Sequence, residues 1–295
     1  GGVADVFTGA GAAVSISTFG GGISNSGTIV AEAAGIEVGG FASGNSSVTI
    51  STFSGGITNS GTIATGTRAG ILVGGSAFQG TLTISTFRGG ISNFGMIVAL
   101  SSHGILVGGD ASVITGTAAS VMISTFSGGI TNFGAITAFS GNGIFVGGHA
   151  GGSGASVTIS TFSGGISNSG AITAFGANGI FVGGTADFGG AVSVANFSGG
   201  ITNSGRILSP SANGIIVGGR VSNGAVTVSS FSGDIVNIGR IFAGHGIVVG
   251  GLAEAGFSGA GAVTVSTFSG DIVNSGVITA LTGHGILVGG VANAC

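Results

Sequence analysis

One phrase recurs eight times along this chain of 295 residues. In its second appearance it reads Ser51-Thr52-Phe53-Ser54-Gly55-Gly56-Ile57-Thr58-Asn59-Ser60-Gly61. Its Phe falls at Phe19, Phe53, Phe87, Phe126, Phe162, Phe197, Phe231 and Phe268, with spacings of 34, 34, 39, 36, 35, 34 and 37 residues. Each repeat later reaches a Gly-Gly pair after Gly-Ile-x-Val, as in Gly143-Ile144-Phe145-Val146-Gly147-Gly148. The distance from Phe to that pair is 21 residues in six repeats, 20 in the first and 19 in the seventh. From the pair to the next Phe it varies between 13 and 18. Each repeat therefore has a rigid part and an elastic part, and the elastic part is expected as a surface loop. A single unit of this size cannot bury its apolar face, so the units must stack.

The apolar period within a repeat is two. Val48 and Ile50 alternate with Thr49 and Ser51, Ile57, Asn59, Gly61 and Ile63 alternate with Thr58, Ser60 and Thr62, and Ile71 and Val73 flank Leu72. This is strand patterning, rich in β-branched residues. Three strand blocks are predicted per repeat, Val48–Phe53, Ile57–Ala64 and Gly70–Gly74, the second bending near Ser60-Gly61. The fold class is all-β: a parallel β-helix, or β-solenoid, of eight stacked repeats of about 35 residues, one three-sided coil each, without helix. The chain, 1–295, reads as a single domain, about 38 Å long at strand spacing.

Composition narrows the partners. Gly accounts for 68 residues, Pro and Cys for one each, and charged residues for 4%. Gly costs about 1 kcal/mol per interior helical position relative to Ala, which argues against helix. Hydrophobic residues make up 43% and the net charge is −3, which is not the composition of a disordered chain. Five Arg and no Lys build no phosphate-neutralising surface, so nucleic acid is not an expected partner. Gly, Ser, Thr and Asn interrupt every apolar run before the length of about 18 residues that a membrane helix needs. No signal peptide is visible, so a targeting segment has been removed or the chain belongs to something longer. The one Cys, Cys295, makes no internal disulfide.

Recurring positions supply the candidate sites. Asn25, Asn59, Asn93, Asn132, Asn168, Asn203, Asn237 and Asn274 share the inward side with Ile; stacked at strand spacing, each amide can bond the next in a ladder. A polar ligand site is the alternative. The eight anchor Phe stack as a core corner, an electron-conducting aromatic column being the alternative. Phe94 and Phe133 replace Ser of neighbouring repeats and form an apolar patch if that position faces out. The residue before the Gly of Gly-Ile-x-Val is Ala34, Ala69, His103, Asn142, Asn178, Asn213, His245 or His284. Asn and His tolerate left-handed geometry, which accounts for the choice there. His245 and His284 stack in adjacent repeats, but two His do not complete a zinc site. Asp234 and Asp271 replace the second Gly of Ser-Gly-Gly; stacked like charges raise a pKa or recruit a weakly held cation, or stand as solvated turn carboxylates.

No catalytic constellation, cofactor site or complete metal site is read. Asp5, Asp110, Asp187, Asp234 and Asp271 lie in different repeats, three of them expected in the elastic loops, and no nucleophile elbow or phosphate-cradling loop with a following helix is present. The chain is expected not to be an enzyme.

The phrase Ser54–Ile63, followed by Gly-Ile-x-Val-Gly-Gly, resembles repeats in the passenger regions of bacterial autotransporters, and does so in all eight repeats. The resemblance implies a secreted, surface-displayed stalk or adhesin joined to a C-terminal outer-membrane barrel. This chain has no barrel strands and, without Trp or Tyr, no aromatic girdle, so it matches the passenger part only. The chain starts and ends at the same phase of its repeat without a polar cap. That is expected of a piece of a longer array, or of a subunit stacking head to tail into a filament.

Three functions compete. The first is a structural or adhesive extracellular solenoid acting as stalk, matrix or fibre, its partners being its own copies, a longer parent chain, or a host or abiotic surface. The second is an ice-binding or carbohydrate-binding face, with outward pairs such as Thr49 with Ser51, Thr83 with Ser85, Thr158 with Ser160, Thr227 with Ser229 and Thr264 with Ser266, interrupted by Met122 and Ala195. The third is a carbohydrate-active β-helix enzyme, which would need an acidic groove.

Overall fold

In the computed structural model, residues 2–4, 11–114, 116–254 and 260–293 are described. Asp5 and Cys295 lie outside them. Among the described residues every element is a strand, and every strand pairing is parallel. The chain winds into a solenoid of eight turns, one turn per repeat. Turn 2 shows the plan: strands Ser47–Phe53, Ile57–Asn59, Thr62–Thr65 and Ile71–Phe78. Each pairs with its equivalents in the turns below and above, giving 8-stranded sheets for the first and second strands and a 16-stranded sheet for the third and fourth. The last two stacks join because Arg206–Ser222 and Arg240–Glu254 each run unbroken around that corner.

Sequence equivalence and spatial register coincide. Phe53 lies opposite Phe87 and Phe87 opposite Phe126, and Asn59 pairs with Asn93 as Ile57 does with Ile91. Register is pinned this firmly because a slip of one residue would turn every Ile outward. The interior is filled in turn 2 by Val48, Ile50, Phe53, Ile57, Ile63, Ile71, Val73 and Ala77, all buried.

The predicted second block is divided, as its bend required. Ser60 and Gly61 both donate their N–H to the carbonyl oxygen of Asn25 in the turn below, at 2.8 and 3.1 Å. One carbonyl serving two donors turns the chain, and a Cβ on Gly61 would strike the Gly27 carbonyl. The third block is longer than predicted. It continues past the glycine pair to Phe78, and its equivalents continue to Ser112 and Asp187. Asp110 and Asp187 therefore sit on strands, not in elastic loops. Length varies in the connections after the fourth strand, with two residues at 79–80 and six at 113–118, and in the corner before it, which is shorter in turns 1 and 7. A glycine pair reads as a break in sequence. Here its first member has φ of +132° at Gly74, and the turn above lies so close that a Cβ would overlap the Gly108 carbonyl oxygen. Only Gly lets the strand pass.

Candidate functional site

Two internal columns run the length of the solenoid. Nδ2 of each repeat Asn donates to Oδ1 of the next, from Asn25 through Asn59, Asn93, Asn132, Asn168, Asn203 and Asn237 to Asn274, at 2.7–2.8 Å. The second amide proton is directed to a main-chain oxygen, as from Asn132 to Gly134 at 3.2 Å. Six of these Asn, Asn59 through Asn237, are completely buried. A buried amide with its hydrogen bonds made has no capacity left for a ligand. Phe19, Phe53, Phe87, Phe126, Phe162, Phe197, Phe231 and Phe268 stack with centroids 4.8–5.0 Å apart and ring planes within 4°. The five from Phe87 to Phe231 are sealed from solvent.

A third column overturns the left-handed expectation. Among the described residues, the non-Gly residues with positive φ are Asn45, Gln79, Phe188 and Asn223, all in the short elastic connections. None of His103, Asn142, Asn178, Asn213, His245 or His284 is among them. What these residues share is a side-chain acceptor. The backbone N–H of Asn142 donates to His103 Nδ1 at 2.9 Å, that of Asn178 to Asn142 Oδ1 at 2.9 Å, that of Asn213 to Asn178 Oδ1 at 3.0 Å, and that of His284 to His245 Nδ1 at 3.1 Å. The side chains of His103, Asn142, Asn178 and His245 thus each cap the corner one turn above. The neighbouring Gly is required by contact, since a Cβ on Gly104 would strike Ile136 Cγ2.

Behind this column lies a second apolar cluster that periodicity did not reveal. Leu72, Leu106, Phe145, Phe181, Ile216 and Val248 point away from the main core, yet all are buried, with Ala69 packed among them. The corner segment between the third and fourth strands supplies the cover. His103 meets Phe145 edge to face at 4.9 Å. Burial there pushes the His103 pKa down to about 4, in keeping with an Nδ1 lone pair already committed to a backbone N–H. His245 and His284 stand 5.8 Å apart, and Nδ1 of His245 is likewise occupied. Among the described residues no three His, Cys, Asp or Glu side chains come together in a metal-holding group.

Charges are sparse, and a few of them meet partners across turns. Arg68 pairs with Glu37 at 3.1 Å and donates to Ser76 Oγ at 2.6 Å. His149 Nε2 lies 3.2 Å from Asp187 Oδ2. Asp110 is in register between Ser76 and His149. Desolvation by its crowded surroundings raises the Asp110 carboxyl pKa, against the pull of His149 and Arg68, although the side chain keeps an outer face in solvent. Asp234 and Asp271 stack on adjacent turns, and Asp234 Oδ1 accepts the Asp271 N–H at 2.8 Å. Asp234 plays the same capping part as the Asn column.

The outer faces differ from one another. On the first strand, Ser15, Thr49, Thr83, Met122, Thr158, Ser193, Thr227 and Thr264 form one register column. Sequence alternation paired Thr49 with Ser51, but the ladder also aligns a column it overlooked: Thr18, Thr52, Thr86, Thr125, Thr161, Asn196, Ser230 and Thr267. The bend between the second and third strands carries the opposite character in turns 3 and 4. Phe94 and Phe133 point outward, 53% exposed each, and stack at 4.9 Å. A groove of about 520 Å³ runs beside the corner column, with Asn178, Asn213, Phe181, Ile216 and Arg220 in its walls. Comparison of the chain with protein families, with curated proteins and with solved structures finds no match in any of the three.

Proposed function

We propose that this chain is a structural or adhesive extracellular solenoid of the bacterial cell surface, serving as stalk, matrix or filament subunit. The observation that carries the reading is the unbroken run of seven Asn–Asn bonds at 2.7–2.8 Å joining all eight turns. Identical inward columns make neighbouring turns interchangeable, so the rod can be extended without inventing a new interface. The recurring side chains hold turns together and leave the outer faces free to vary. Resemblance of the repeat phrase to autotransporter passengers supports display outside the cell. Low charge leaves exposed strand edges with little electrostatic protection, which favours self-association. Immunogold labelling of intact cells that make the protein tests the location: label on the cell surface is expected, and label confined to the cytoplasm overturns the reading. Negative-stain microscopy of the purified chain separates long filaments of uniform width from single short rods.

The paired hydroxyl columns of the first strand favour one second reading, an ice-binding face. Thermal hysteresis in solutions of the purified chain is its test, and freezing behaviour equal to that of an inert protein removes it.

A further inference from the structure

Apolar side chains are exposed on and around the third strand stack. In turns 3 to 5 these are Phe94 and Phe133 in the bend before it, Met96 on it, and Leu100, Phe139 and Phe175 in the corner after it, each with 42–53% of its surface open. Ile238 and Phe242 are exposed in turn 7, with Ser169 and Ser204 standing between Ile238 and Phe133 in the bend column. Apolar patches on an outer face mark contact surfaces. The register then adds charge. Met96 stacks under Ala135, Ala135 under Ala171, Ala171 under Arg206 and Arg206 under Arg240. Two of the chain's five basic residues thus occupy one column on adjacent turns, about 4.8 Å apart at the backbone. Both are exposed, and among the described residues neither makes an ion pair. Like charges directly opposite repel. Glu32, the acidic residue at the flank of this strand stack, stands in turn 1, far from both.

Three occupants suit an apolar patch. A glycan stacks on aromatic faces, but within the Phe94–Phe133 pair ring meets ring at 8°, which offers edges outward and no flat platform. A second copy packing through the same face would set its own Arg pair against this one. An interface that is apolar just beneath a layer of anionic groups matches both features at once. We infer that the outward side of the third strand stack, with the bend before it and the corner after it, docks on a lipid surface bearing anionic headgroups. Phe94, Phe133, Phe139, Leu100 and Met96 enter the acyl boundary, and Arg206 and Arg240 take headgroup phosphates. This inference goes beyond the adhesive reading and does not depend on it.

The test is flotation of the purified chain with vesicles of phosphatidylcholine alone and of phosphatidylcholine mixed with phosphatidylglycerol. Two double variants borrow residues that other turns already carry at the same positions: Phe94→Ser with Phe133→Ser, as at Ser60 and Ser169, and Arg206→Thr with Arg240→Thr, as at Thr28 and Thr62. Far-ultraviolet circular dichroism verifies that each folds as the parent does. The parent is expected to float with the mixed vesicles, less as salt rises. The Arg double variant should bind them roughly 30-fold more weakly, and the Phe double variant should fail to float. A parent that stays unbound, or that binds both vesicle types alike regardless of either variant, overturns the inference. A parent that ignores vesicles but sediments as a dimer dissolved by Phe94→Ser with Phe133→Ser assigns the face to a second copy. Surface labelling of cells remains a separate readout, so failure here leaves the location untouched.

Discussion

The backbone N–H of Asn142 donates to Nδ1 of His103 at 2.9 Å, one turn below. That contact requires the neutral ring with its proton on Nε2. It makes His103 an acid-sensitive joint between turns 3 and 4. Burial holds its pKa at about 4 against 6.5 unfolded. A His with a depressed folded pKa stabilises the fold above its unfolded value, and that contribution is lost as pH falls toward the folded value. Stability should therefore drop between pH 6.5 and about 4, by up to about 1.4 kcal/mol per pH unit and below about 3 kcal/mol in all, because part of the ring edge stays accessible. His103→Asn, the residue used in the next three turns, should flatten this dependence. Denaturant midpoints at pH 7 and pH 4.5 for both proteins provide the check. Equal acid sensitivity in the two would contradict the assignment.

The Asn ladder should be most vulnerable in its middle. Asn168→Ala leaves the Asn132 amide and the Asn203 carbonyl buried without their strongest partners. The expected cost is about 2–5 kcal/mol. Asn274→Ala removes an exposed terminal member and breaks one ladder bond, from Asn237, where Asn168→Ala breaks two, so it should cost clearly less, about 1 kcal/mol. Guanidinium unfolding of the two variants measures the difference, and similar losses would argue against a cooperative ladder.

Phe162→Ala should cost about 3–5 kcal/mol, since it opens a cavity in a sealed stack. Phe19→Ala, at a ring 42% exposed, should cost clearly less. Thermal melts compare them directly.

Thr65 offers a change in the favourable direction. Its Oγ1 is buried without a hydrogen-bond partner, and Ala occupies this position at Ala99, Ala138 and Ala174. Thr65→Val keeps the shape and removes the orphan hydroxyl, so a gain of about 1 kcal/mol is expected. A destabilised variant in denaturant titration would show that the hydroxyl has a partner after all.

Gly147→Ala should disrupt the stack by more than about 3 kcal/mol. Gly147 has φ of +138°, and a Cβ would overlap the Gly183 carbonyl oxygen. Gly27→Ala, with nothing near its Cβ, should fall within about 0.5 kcal/mol of the parent. Expression yield and melting temperature separate the two.

Strand patterning and repeat length are written in the chain itself. Ile57, Asn59 and Ile63 point inward because a period of two admits no other face, and eight equal phases leave stacking as the way to bury them. Parallel stacking then brings each Asn and each Phe onto its equivalent, so one turn predicts all. Other features depended on what lies outside that period. Leu72 sits on the outward side by alternation, and only the corner folded over it makes it core. His103 and Asn142 look like residues chosen for backbone freedom, whereas the turn above supplies the N–H that selects them. The glycine pair reads as a break, yet the strand runs through it because the neighbouring turn is too close for a Cβ. Arg206 and Arg240 are 34 residues apart in sequence, and only winding places them side by side. Local periodicity encodes which face of a strand is buried; which groups meet across turns and corners is decided by tertiary packing, because those contacts join residues that no short window of sequence contains.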